Sequence, residues 1–220
     1  WIVMDRSGVQ RARAPFAGSV GSNYAFRDYF HGSGRDFGDE ERGDSTPIRA
    51  AYRSIVFRSQ VTQRNMVAFS VPVRDPGDAE RVVGVLGMTV ELGSFGVLEL
   101  GTEDSQLTAL VDIRHDWRGR RGLVLQHAEL AKAQARSLGK AGGLPSYYLP
   151  EPRIAEFQAL GADRLRHLVT SPPSAPEPRL ESDYRDPVGG EFGGPWLAAF
   201  EPVVVRNSDT GWVVIAQERD

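Results

Sequence analysis

The apolar and polar positions of this chain follow one pattern twice. Residues 66–73, MVAFSVPV, alternate in the period-2 manner of a strand with one buried face. Residues 72–92, PVRDPGDAERVVGVLGMTVEL, run from a Pro-Val strand through a polar turn to a glycine that opens a strongly apolar strand. Residues 202–218, PVVVRNSDTGWVVIAQE, do the same. The matching points are Pro72 and Val73 with Gly84, and Pro202 and Val203 with Gly211. The beginnings also agree. Residues 1–12, WIVMDRSGVQRA, and 110–126, LVDIRHDWRGRRGLVLQ, each give a strand ending in Asp (Asp5, Asp112), a glycine turn and a second strand. A period above a hundred residues is domain-sized, so a duplicated module is expected.

In the first half the pattern predicts a hairpin of Ile2–Met4 and Val9–Ala12 around Asp5–Gly8. A short helix or helical turn over Asn23–His31 follows, with Asn23 as its cap. Residues 32–45 form an acidic, glycine-rich solvated loop, and Ile48–Tyr52 a second short helix. Three antiparallel strands complete the half: Ile55–Ser59, Met66–Pro72 and Arg81–Glu91. In the second half, strands are expected at Leu107–Ile113, Leu123–His127, Leu197–Val205 and Trp212–Gln217, and helices at Glu129–Leu138 and Glu156–Leu168. Ser171–Pro178 reads as an extended proline-rich loop. The fold class is α+β: two tandem PAS-like modules, each an antiparallel sheet flanked by helices, covering 1–105 and 106–220. A single continuous sheet through both halves is the alternative.

Composition narrows the function classes. The chain has 220 residues, 26 Lys and Arg, 29 Asp and Glu, and a net charge of −3. Nucleic-acid binders usually carry a basic face, which this balance does not suggest. The absence of cysteine excludes disulfides, thiolate metal sites and cysteine nucleophiles. No apolar run reaches membrane-spanning length. With no signal peptide or initiator Met, the chain reads as a piece of a longer protein. The four histidines, His31, His115, His127 and His167, form no HxH, HxxH or HExxH pair, and no GxSxG or GxxxxGK[ST] is present. The acidic loop with Asp36, Asp39, Glu40, Glu41 and Asp44 lacks the alternation of a calcium loop. Neither catalysis, nor a metal, nor a cofactor is expected. Asp183–Asp186 faintly echoes Arg27-Asp-Tyr as a counterpart in the second half, and Trp196 and Trp212 read as packing residues.

The segment Asn23–Phe30, NYAFRDYF, packs four rings and an arginine into eight residues. It reads either as a helix whose aromatic side is core, with Arg27 salt-bridged outside, or as the wall of a small-molecule pocket. In the second case the guanidinium grips a carboxylate.

Taken in order, the strand–DxSG–strand hairpin, NYAFRDYF, VAFSVPV and VVGVLGMTVEL resemble the double Cache family of extracytoplasmic sensor domains. EPVVVRNSDTGWVVIAQE resembles that family's membrane-proximal module. The similarity spans essentially the whole chain and is nearest to the sensor regions of bacterial receptor-type serine/threonine kinases. It implies a small-molecule sensor joined to a membrane through flanking helices, homodimeric in the full receptor, with the ligand in the first, membrane-distal module. The family's Arg-x-aromatic-aromatic motif falls on Arg27, Tyr29 and Phe30, and its strand tyrosine on Phe57. The aspartate that grips a ligand amine falls on Thr89. The expected site is Tyr24, Arg27, Tyr29, Phe30, Phe57, Phe69 and Thr89, with Glu91 on the same strand side as Thr89. The expected ligand is a small carboxylate, an amino-acid-like molecule or another organic compound; with the amine-binding anion missing, the first and last fit better. A dimerisation or adhesion module with a vestigial pocket is the alternative.

Overall fold

The structure is a computed structural model that describes residues 1–94, 105–137, 144–170, 177–205 and 208–219. Two compact units divide the described chain. The first is Trp1–Glu91 with the short stretch Asp116–Arg118; the second takes the rest from Leu92 onward.

The first unit contains β1 (Ile2–Asp5), β2 (Gln10–Arg13), α1 (Asp28–His31), a 3-10 turn at Asp39–Asp44, β3 (Tyr52–Arg53), β4 (Phe57–Arg58), β5 (Asn65–Asp75) and β6 (Asp78–Glu91). Its sheet has the order β2-β1-β6-β5-β3, and β4 also pairs with β5. Every pairing is antiparallel. Strand alternation divides the faces. Met66 and Ala68 of β5 and Val85 of β6 look into a core with Ile2, Met4, Tyr24, Phe26, Tyr29, Phe30, Ile48 and Phe57. Gly84 is demanded by proximity: a Cβ there would stand 2.3 Å from the Met4 carbonyl oxygen of the neighbouring strand.

The second unit contains β7 (Gln106–His115), β8 (Arg121–Gln126), α2 (Ala128–Ser137), α3 (Glu151–Thr170), β9 (Arg179–Arg185), β10 (Pro195–Val205) and β11 (Ser208–Glu218). Its sheet order is β8-β7-β11-β10-β9. This is the first sheet's order with each strand exchanged for its sequence counterpart. Ile154 and Phe157 of α3 close the core over Val111, Val213, Ile215, Phe200 and Tyr184. Trp196 and Trp212 are buried, and each indole N–H is used: Trp196 donates to the Phe192 carbonyl, and Trp212 donates to Asp112 at 3.0 Å.

Several expectations are corrected. The helix over Asn23–His31 shrinks to α1, because Arg27 is extended, with φ −79° and ψ 137°. Asn23 caps a turn instead, accepting the Ala25 N–H at 2.8 Å. Ile48–Tyr52 is not helical; it leads into β3. Asp183–Asp186 is no counterpart of Arg27-Asp-Tyr. It ends edge strand β9, where Tyr184 pairs with Trp196. In register, Asp5 faces Gly84 while Asp112 faces Trp212, so the repeat aligns one residue past Gly211. Most of the Ser171–Pro178 loop, residues 171–176, lies outside the described residues.

Candidate ligand site

The segment carrying Arg27 is fixed by the β1–β2 turn. The Tyr24 N–H donates to the Gly8 carbonyl at 2.8 Å, and the Asn23 amide donates to the Ser7 carbonyl at 3.1 Å. Gly8 has φ +79°, and a Cβ there would collide with Ala25 at 2.5 Å, so only glycine lets the segment approach this closely.

Arg27 is buried at 6 % exposure. Its Nη1 donates to Asp36 Oδ2 at 2.6 Å and its Nη2 to the Arg58 carbonyl at 3.0 Å. Its Nε makes no hydrogen bond. The guanidinium carbon lies 4.9 Å from the Phe26 ring centre and 5.2 Å from that of Phe57, in cation–π range. Phe57 in turn meets Tyr29, with centroids 5.1 Å apart. Burial holds the Tyr29 phenol well above its ordinary ionisation range, partly offset by Arg27.

Asp28, beside it, organises the surrounding loops. Its carboxylate accepts the Gly34 N–H at 2.6 Å, the Ile55 N–H at 2.7 Å and the Tyr52 hydroxyl at 2.9 Å. Burial pushes its ionisation up despite these bonds. Asp36 closes the arrangement by accepting the Asp28 N–H at 2.9 Å through Oδ1.

Tyr24, Arg27, Tyr29, Phe30 and Phe57 are therefore brought together, all under a tenth exposed. Thr89 pairs with Ala68 and so faces the same side of the sheet. Phe69 does not join them. It pairs with Met88 on β6, one position out of phase with Ala68 and Thr89, and so points to the opposite face. Glu91 faces the Thr89 side but is ion-paired with Arg64. Two functional groups went unforeseen. Asp36 has no sequence signal beyond its acidic loop, and Asp28 occupies the variable position of the motif. Among the described residues, no group of three acidic or histidine side chains could hold a metal ion. Nor is any described helix long and apolar enough to cross a membrane.

No protein-family model matches the chain, and no curated protein matches it. Solved structures do. The extracellular ligand binding receptor from Desulfohalobium retbaense superposes with a TM-score of 0.53 at 8 % identity, over 99 % of this chain and 29 % of that one. The V. cholerae histidine kinase DctB sensor domain gives 0.48 at 12 %, covering 100 % of this chain and 71 % of that one. The ligand binding domain of the Pseudomonas aeruginosa amino acid chemoreceptor PctB gives 0.46 at 12 %, over 99 % and 64 %. The first of these superpositions spans nearly the whole chain, and the strand order repeats in both units; this chain has an α+β fold of the double Cache type, with two PAS-like modules in tandem.

Proposed function

We propose that this chain is the extracytoplasmic sensing part of a membrane receptor, a protein kinase by the resemblance of its sequence. In this reading its first module, within 1–105, receives a small organic ligand at the Arg27 cluster, and the chain carries no catalysis. The observation behind it is the state of Arg27. A buried guanidinium, walled by Phe26, Phe57 and Tyr29, is bonded to a carboxylate of its own chain whose side chain remains 24 % exposed. A ligand carboxylate has the same chemistry as Asp36 and can take its place on the fork. Thr89 offers a hydroxyl from the sheet. Output follows from differential binding: the ligand shifts the receptor only by its affinity difference between two arrangements.

The test is a thermal-shift screen against carboxylates, amino acids, amines and purines. A carboxylate or amino acid should raise the melting temperature of the parent and leave Arg27→Ala unmoved. Thr89→Asp should move the preference towards amine-bearing members of the panel. An Arg27→Ala protein stabilised as strongly as the parent overturns the site. Silence across the panel favours the dimerisation or adhesion reading.

A further inference from the structure

Register aligns the two sheets residue by residue. Thr89 pairs with Ala68 in the first sheet, and Gln217 pairs with Ala198 in the second. Phe57 pairs with Met66, and Tyr184 pairs with Trp196. Gln217 and Tyr184 thus occupy in the second unit the places that Thr89 and Phe57 occupy in the first. The second unit carries a polar group at both places and adds two more: His127, where β8 ends, and Asp186, just past β9.

Asp186 Oδ2 accepts the Gln217 amide N–H at 2.8 Å and lies 3.4 Å from His127 Nε2. Its Oδ1 accepts the Val188 N–H at 2.8 Å. His127 Nδ1 accepts the Glu129 N–H at 3.0 Å, which requires a lone pair there. The imidazole is therefore neutral, with its proton on Nε2. Phe192 stands edge-on to it at 4.7 Å. Ala198, fully buried, presents only a methyl group opposite Gln217.

Three atoms of this neighbourhood make no hydrogen bond: His127 Nε2, Gln217 Oε1 and the Tyr184 hydroxyl. All three side chains are nine-tenths or more buried. Buried polar atoms are nearly always paired, and one left unpaired costs roughly 1–3 kcal/mol. Three such atoms on one face of one sheet, two of them on side chains beside one carboxylate, are not what packing alone selects. Their chemistry is lopsided. Gln217 Oε1 and the Tyr184 oxygen accept, Asp186 is anionic, and no described lysine or arginine is ion-paired with it. His127 Nε2 lies 3.4 Å from Asp186 Oδ2 without a hydrogen bond to it. A molecule completing the set must donate several hydrogen bonds and carry positive charge.

We propose that the second unit has a binding site of its own, where Asp186, Gln217 and Tyr184 receive the ammonium group of a small organic amine and His127 orients Asp186. The site is separate in chain and chemistry from the Arg27 cluster, and does not depend on it.

The test follows the imidazole signals of the 220-residue chain by NMR during titration with methylammonium chloride. Sodium chloride at equal ionic strength and sodium acetate are the controls. The His127 signal is assigned by its loss in His127→Gln. It should shift saturably with methylammonium and with neither control. Tyr184→Phe, which removes one hydroxyl, should weaken the effect about three- to tenfold. Gln217→Met should abolish it, and Arg27→Ala should leave it intact. Absence of a saturable shift overturns the proposal, as does a shift shared with sodium chloride or one unaffected by Tyr184→Phe. Absence of the shift would mean that the cluster closes around water alone.

Discussion

The Tyr52 hydroxyl donates to the Asp28 carboxylate, 2.9 Å from Oδ1 and 3.1 Å from Oδ2, joining edge strand β3 to the segment that carries Arg27. Asp28 is 1 % exposed and accepts from the Gly34 and Ile55 N–H groups as well. Asp28→Asn replaces one acceptor oxygen with a donor and should cost about 2 kcal/mol. The pH dependence has a definite sign. Burial raises Asp28 above its ordinary value of 3.8, so the folded chain holds more protons than the unfolded one in that window. Stability from this group therefore grows as pH falls. In denaturant titrations between pH 7 and 4, the gap between parent and Asp28→Asn should widen as pH falls. A constant gap would show that the group is not shifted.

Asp186 should behave oppositely. Burial pushes its ionisation up, but the imidazole of His127 facing it at 3.4 Å and the hydrogen bonds from Gln217 and Val188 outweigh that and hold it below the ordinary carboxylate value. Its contribution is complete above the ordinary carboxylate range and fades as pH falls through the lower folded value. The gap between parent and Asp186→Asn should accordingly shrink below about pH 4.

The Arg27 guanidinium satisfies the Arg58 carbonyl and Asp36 from a buried position. Its removal should lower unfolding free energy by about 2–3 kcal/mol in chemical denaturation. Ligand screens on this variant therefore need a temperature at which it remains folded.

Gly84→Ala should destabilise by about 3 kcal/mol, since its Cβ meets the Met4 carbonyl at 2.3 Å. Gly18→Ala, with nothing within 4 Å of the added carbon, should stay near the parent. Equal melting temperatures for the two variants would contradict the tight β1–β6 approach.

Strands were legible where their period is 2 and their turns carry glycine or aspartate, as in β5, β6, β10 and β11. β9, RLESDYR, was not: it is an edge strand that buries only Tyr184, so its pattern is polar. The aromatic cluster was legible because its rings lie within eight residues. The partner of Arg27 was not, since Asp36 reaches it across a loop whose path no local pattern encodes. Phe69 was misplaced for a related reason. Which face a strand residue takes depends on register, and register depends on the partner strand. The buried group of His127, Asp186 and Gln217 comes from three separated segments and had no sequence signal.

The order β8-β7-β11-β10-β9 has a mechanical consequence. β11 is the middle strand, laddered to β7 on one side and to β10 on the other. Force along β11 cannot peel it away one bond at a time, as it could at an edge; both ladders must slide together. A small axial load would then move β7, β11 and β10 as one stiff plate, and strain would pass to the softer loops around the sheet.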